Sequence, residues 1–436
     1  LKYNSTLAGR DGIKRVAKDA RRRPIGADAE DYIPPLHGRH LVLTIDANIQ
    51  HFAERELAEA CRHYRATRGE VIVMDPYTGD VLAMANYPAF NPQNLGDSTP
   101  DQRRNRALTD PMEPGSTIKP FLVGPALQWN VMRSDEVLPI PGITWVTGYG
   151  RRITDVHGYP PLMLWDVLVK SSNIGMCMLG NRMGNARLHQ ALITMGFGRP
   201  TGIDLVGEDG GRVNPLNRWG RYSTDSIPQG YELMVTPLQL ARSFCVYANG
   251  GKLVTPRLVR GVLDAEGNTV EKRPAPRLAD LPQVLDAAAA LEVRRIMADV
   301  MVRGTGTKAR SMHWNLFGKT GTAHISDGRA GYSQNRYNSN FIAGAPFENP
   351  RVVIAMSVHE ADRSIAHYGG IVSAPAASRI LERTLDYLGV PPSPDLPPPP
   401  PNIVSRMVGP NQLDIYKKPQ KPMNLTPWAQ PAVAGQ

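Results

Sequence analysis

A chain of 436 residues with 42% hydrophobic and 21% charged residues is long enough to bury a full core. Its 40 glycines and 39 prolines stay below the roughly 25–30% that marks low-complexity sequence, so disordered, collagenous and disulfide-miniprotein classes are excluded for most of its length. The net charge of +10 suits nucleic acid, anionic lipid or an acidic polymer and does not choose between them.

Residues 1–40 are irregular, charged and dotted with Gly and Pro, and read as a linker or the end of an earlier module. Lys14, Arg15, Lys18 and Arg21 to Arg23 cluster there and read first as a solvated arm. Leu41–Ile45 forms a short predicted strand. Asp46 then caps a helix reaching about Tyr64, with Ile49, Phe52, Ala53, Leu57 and Ala60 on one face. Val71–Met74 and Val81–Met84 flank the turn Asp75–Asp80 as a hairpin. Residues 110–250 read as helices broken by Gly/Pro loops. A second hairpin, Phe341–Ala345 with Val352–Val358, brackets Glu348–Pro350, and a last helix runs from about Ser373 to Leu388. Strands at both ends of a helical middle predict an α+β fold with a mostly antiparallel sheet. After Leu396 come five prolines, so 391–436 reads as a polyproline-like linker and loose tail. The expected division is 1–40, 41–390 and 391–436.

Cys61, Cys177 and Cys245 form no C-x-x-C pair, which excludes a disulfide framework and a cysteine zinc site. All three lie in apolar surroundings and are expected to be buried. No metal or cofactor is expected. The longest apolar stretches, Phe121–Trp129 and Val352–Val358, fall short of the ~20 residues of a membrane span. The chain starts at Leu1 rather than Met, so a membrane anchor is expected upstream.

Three short motifs carry chemistry: Ser116-Thr-Ile-Lys119, Ser171-Ser-Asn173 and Lys319-Thr-Gly321 followed by Thr322. Each alone is weak. Ser116 could be an ordinary N-cap, Ser171 and Asn173 loop punctuation, and Lys319 a surface strand residue. Ser333-Gln-Asn335 is a second S-x-N, but it follows K-T-G and breaks the order. The ordered trio S-x-x-K, S-x-N, K-T-G is the pattern of penicillin-binding proteins and β-lactamases. Glu113-Pro-Gly115 is a turn ending where a helix starts, so Ser116 and Lys119 share a face. A serine hydroxyl needs an adjacent base, and a lysine serves if burial or a second cation such as Lys319 keeps it neutral. Ser171 in a loop can pass a proton, and the Asn173 amide can hold a carbonyl. Lys319 to Thr322 reads as an edge strand. There Gly321 lets a substrate backbone approach, and Lys319 with the Thr320 and Thr322 hydroxyls suits a terminal carboxylate. The backbone N–H groups of Ser116 and Thr322 could form an oxyanion hole.

The chain resembles the transpeptidase domain of class B penicillin-binding proteins, most of all the division-type (septal) branch. The resemblance covers about residues 40–390. Beyond the trio it rests on Asn105–Pro120, Thr201–Glu208, Val235–Leu240, Gly304–Gly306, Gly318–Ala323 and Gly369-Gly370. Gly9-Arg-Asp-Gly12 resembles the end of the pedestal that precedes this domain in the family. The resemblance implies the penicillin-binding/serine β-lactamase-like fold, with a helical subdomain inserted around the sheet. It implies a D,D-transpeptidase acting on peptidoglycan stem peptides that end in D-Ala-D-Ala, acylated by β-lactams at the same serine. It also implies a place outside the cytoplasmic membrane beside a membrane glycosyltransferase and other division proteins, with no nucleic-acid partner. Two departures stand out. His324 follows K-T-G-T-Ala where the family commonly has Gln, and is expected to be a plain strand histidine. Pro125 should bend or end the helix after Ser116. Asp155 and His157 resemble a family stretch but receive no catalytic role.

Rival readings are a D,D-carboxypeptidase or β-lactamase on the same fold, and a non-catalytic β-lactam receptor or division scaffold. No Glu between Ser171 and Lys319 has Asn four residues on, which disfavours one β-lactamase class. A pure scaffold should have lost a motif residue, and none is lost.

Overall fold

The computed structural model describes residues 2–14, 17–26, 32–328 and 331–394. Arg15 and the tail from residue 395 lie outside the described residues. The architecture is organised by one five-stranded antiparallel sheet with helices on both faces. Its strands are β1 (Arg68–Met74), β2 (Val81–Tyr87), β5 (Phe317–Ser326), β6 (Tyr332–Ala345) and β7 (Val352–His359), in the order β5-β6-β7-β1-β2. β5 and β2 are the edges.

The period of two in the strands divides the core. Ile72, Met74, Ile342, Val353 and Ala355 face the helical middle. It packs α2 (Lys119–Gln128), α4 (Asn173–Thr194), α6 (Pro237–Ala248) and α7 (Ala287–Arg303) against them. Val71, Val73, Phe341, Ala343, Ile354 and Met356 face α1 (Ala47–His63) and α9 (Ala374–Tyr387). A strand covered on both faces reads as an unbroken apolar run, which is why β1 and β7 are legible in the sequence. The Asp46 carboxylate accepts from the N–H groups of Asn48 and Ile49 at 2.9 and 3.2 Å, as an N-cap should. All three cysteines are free and buried.

Several expectations change. The helical middle also holds a hairpin, β3 (Gly142–Val146) with β4 (Arg152–Tyr159). The first predicted strand, observed at His40–Leu43, pairs with Val259–Leu263 in a separate three-stranded sheet. Pro125 does not end α2, which runs on to Gln128 while the Pro125 carbonyl accepts from Trp129 N–H. Residues 119–126 are all buried, and this packing offsets the lost backbone bond. The last predicted helix is observed as α9, Ala374–Tyr387 with Ser373 and Leu388 at its caps, and a further one-turn helix, α8 (Gly369–Val372), precedes it. Lys14, Lys18 and Arg21 to Arg23 are exposed, as a solvated arm requires. Among the described residues no helix is long and apolar enough to cross a membrane.

Candidate active site

Gly115–Ile118 forms a single 3-10 turn that leads into α2 at Lys119. A 3-10 turn stacks positions i and i+3, so Ser116 and Lys119 project from one side. Gly115 has φ +56°, and a Cβ there would lie 2.9 Å from the Thr322 carbonyl oxygen. A Cβ on Gly321 would lie 2.8 Å from the Pro114 oxygen and 3.0 Å from Thr117 N. The S-x-x-K turn therefore lies directly on the K-T-G strand, tied further by Asn340 Nδ2 donating to the Pro114 carbonyl at 3.2 Å. The space a side chain on Gly321 would need is filled by the chain's own turn, while Gly321 itself also lines the cleft.

The S-x-N segment lies between two helices, at the junction of α3 (Leu164–Lys170) and α4, where only Ser171 and Ser172 separate them. Ser171 ends α3 in the left-handed region, φ 60° and ψ 34°, which costs a non-glycine residue on the order of 1–3 kcal/mol. Ser172 caps α4 by accepting from Gly175 N–H at 3.0 Å. Asn173 is the first residue of α4.

Lys119 is fully buried. Its Nζ donates to the Ser171 carbonyl at 2.7 Å, Asn173 Oδ1 at 2.8 Å and Ser171 Oγ at 3.3 Å. Lys319 is equally buried and donates to Ser171 Oγ at 2.9 Å and to the Thr320 carbonyl at 3.0 Å. Ser171 Oγ thus sits between the two lysine Nζ atoms. Burial brings Lys119 down to about 8, with the Asp155 carboxylate acting in the opposite sense. Burial, and then the charge of Lys119, hold Lys319 well below the ordinary lysine range.

A cleft of about 540 Å³ opens over this cluster. Ser116, Ser171, Asn173, Thr320, Gly321 and Thr322 line it, whereas Lys119 and Lys319 lie behind Ser171. Lys319 therefore reaches the cleft through the Ser171 hydroxyl rather than from the wall. β5 is an edge strand as expected. Thr320 Oγ1 lies 2.6 Å from Thr305 Oγ1, and Thr322 Oγ1 accepts from Gly369 N–H at 3.0 Å. Along the same strand the cleft wall continues as a file of rings, His324–Tyr337–His367–Tyr368, with successive centroids 4.6, 4.4 and 4.3 Å apart. His324 belongs to this wall, with Nδ1 at 2.8 Å from the Ser333 oxygen. It is more than the plain strand histidine expected.

Asp155 is the residue that sequence reasoning undervalued. It is 4% exposed and accepts from Ser172 Oγ at 2.6 Å and from the N–H groups of Asn173 and Ile174. It holds the S-x-N junction in place and faces Lys119. The available signal was alternation along β4: Ile153 and Asp155 are buried while Arg152, Thr154 and Val156 are exposed. Gly230, with φ +89°, is also close, since a Cβ there would meet the Gly115 carbonyl oxygen. Among the described residues no group of three or more His, Cys, Asp or Glu could hold a metal.

An antiparallel sheet between helical layers, with S-x-x-K, S-x-N and K-T-G meeting at its edge strand, defines a serine acyl-transfer fold. Residues 69–382 match the model of the penicillin-binding protein transpeptidase domain. The chain belongs to this family, and it resembles the class B, division-type members most. It is 34% identical over 394 residues to the probable peptidoglycan D,D-transpeptidase PbpC of Pseudomonas aeruginosa, covering 90% of this chain and 66% of that protein. It is 31% identical over 404 residues to the probable peptidoglycan D,D-transpeptidase PenA of Neisseria meningitidis, covering 90% and 65%. The chain thus spans slightly less than two thirds of these relatives. Among solved structures, penicillin-binding protein 3 of Mycobacterium tuberculosis complexed with aztreonam superposes with a TM-score of 0.76 at 30% identity, covering 87% of this chain and 88% of that one. The apo transpeptidase domain of Burkholderia pseudomallei penicillin-binding protein 3 gives 0.70 at 32% identity, covering 81% and 98%.

Proposed function

We propose that this chain is a serine D,D-transpeptidase that cross-links peptidoglycan stem peptides through an acyl ester on Ser116. The carrying observation is Ser116 on the cleft wall, one turn before a fully buried lysine whose pKa lies near 8. Neutral Lys119 accepts the Ser116 proton as Oγ attacks the carbonyl of the penultimate D-Ala. The backbone N–H groups of Ser116 and Thr322 stabilise the oxyanion. Lys119 and Ser171 relay the proton to the departing D-Ala amine. Thr320 and Thr322 hold the terminal carboxylate, with Lys319 supporting through Ser171, while Asn173 orients the donor amide and Gly321 keeps the turn against the strand. An amine of a second stem then attacks the ester by the same route in reverse.

β-Lactams enter the same sequence and stop at the ester. We assign the activity to residues 41–390, at the outer face of the cytoplasmic membrane. The duty is septal wall synthesis, beside a membrane glycosyltransferase and other division proteins. The test is labelling with a fluorescent penicillin. Wild type should be labelled covalently at Ser116, and Ser116→Ala should keep the wild-type melting temperature and take up no label. Label at wild-type level in that variant would overturn the assignment.

A further inference from the structure

A second cleft, about 810 Å³, continues from the first and shares Gln229, Tyr231 and His324 with it. Two tyrosine pairs form its sides. Tyr149 and Tyr222 have ring centroids 5.6 Å apart, and Tyr231 and Tyr332 are 5.1 Å apart. Arg151 and Glu232 supply its charge.

The two charges are not equivalent. Arg151 already has a partner, because its Nη1 lies 3.6 Å from the fully buried carboxylate of Asp225 and its guanidinium stacks over Tyr222 at 5.4 Å. Glu232 Oε2 accepts from a neutral hydroxyl, Ser223 Oγ at 2.7 Å, and among the described residues Glu232 enters no ion pair within 4.0 Å. Its backbone has φ 63°, a conformation rare for glutamate that recurs at functional positions. Behind it stands a second carboxylate. Glu113 is 9% exposed and accepts from Tyr332 Oη at 2.8 Å and Glu232 N–H at 3.1 Å through Oε1, while Oε2 is buried without a hydrogen-bond partner. Burial raises the Glu113 carboxyl above its ordinary range, against the hydrogen bonds from Tyr332 and the Glu232 N–H and the charge of Arg212. The end of the cleft at Glu232 is therefore a place for a cation.

The direction of the donor links this place to the reaction. A peptide with its terminal carboxylate at Thr320 and its scissile carbonyl at Ser116 and Thr322 lies antiparallel on the free edge of β5. At ~3.4 Å per residue it is carried past His324 within about two residues of the scissile carbonyl. Donor and acceptor are both stems, so the donor bears the same kind of amine as the acceptor.

We infer that the second cleft binds the amine-bearing side chain of the donor stem, packing its aliphatic part between the tyrosine pairs and holding its ammonium on Glu232. This rests on the transpeptidase reading above. Held as an ammonium, the donor's own amine is no nucleophile, and the ester is left for the amine of the second stem.

The test uses two penicillins that differ only at the end of an aminoalkyl acyl side chain, one with a free amine and one N-acetylated, with benzylpenicillin as reference. Second-order acylation rates of the whole chain are read by mass spectrometry. Wild type should react faster with the free-amine compound by roughly tenfold, the worth of one charge-assisted hydrogen bond. Glu232→Gln should abolish that preference and leave benzylpenicillin acylation within about twofold, since Glu232 lines the second cleft only. Equal rates for the two compounds on wild type would overturn the inference whether or not the variant folds, and so would a preference that survives in a folded Glu232→Gln. Failure of benzylpenicillin to acylate wild type would be a different result, overturning the transpeptidase reading itself.

Discussion

If Lys119 is the base, the acylation rate must follow its neutral fraction. Burial brings its pKa to about 8. Roughly one molecule in eleven then carries a neutral Lys119 at pH 7, half at pH 8, and ten in eleven at pH 9. The second-order rate with a fluorescent penicillin should rise roughly fivefold from pH 7 to 8 and less than twofold from 8 to 9. A lysine at its ordinary pKa would give close to a tenfold rise for each pH unit across that range. Asp155 supplies the second arm. Its buried carboxylate favours charged Lys119, so Asp155→Asn should move the inflection to lower pH. The variant keeps an oxygen for the Asn173 and Ile174 N–H groups and loses the acceptor for Ser172 Oγ. One hydrogen bond to a charged group contributes about 1.5–3 kcal/mol, so melting should report a loss of that size. The informative readout is the inflection, since looser packing alone lowers the rate at every pH without moving it. A log rate still climbing with unit slope through pH 9, or an inflection unmoved in Asp155→Asn, would refute the role of Lys119 as a buried base tuned by Asp155.

Lys119→Arg should slow acylation by orders of magnitude in the same assay, because a guanidinium does not give up its proton at working pH. Gly369→Ala should lower stability by about 1–3 kcal/mol in chemical denaturation, since its Cβ would come within 2.3 Å of the Gly321 oxygen and 2.4 Å of the Asn340 oxygen. The penicillin ester should persist for many minutes by mass spectrometry. A bound acceptor amine has a proximity advantage of roughly 7–11 kcal/mol that water lacks, so free enzyme restored within seconds would favour a β-lactamase instead.

Much of the fold was legible because its signals are local. The Asp46 cap and the apolar face of α1 follow from side-chain spacing, and β1, β2 and β7 show as short apolar runs between turn residues. The hairpin β3–β4 was missed because its apolar residues do not mark its buried face: Ile143, Val146 and Val156 are exposed, while the buried positions of β4 are Ile153 and the polar Asp155. Pro125 misled because propensity rules weigh a lone helix, whereas α2 is enclosed by the core.

The order and internal spacing of the three motifs were enough to nominate Ser116, Lys119, Ser171, Asn173 and Lys319. A nucleophile and its base one turn apart are a property of the local backbone. What those groups do to one another was decided by tertiary structure. Ser171 meets Lys119 across 52 residues and Lys319 across 148. Burial of both lysines, which sets their charge, depends on how α2, the α3–α4 junction and β5 close together. The tyrosines of the second cleft carry no motif. Their positions follow from long-range packing, to which residue spacing along the chain is blind.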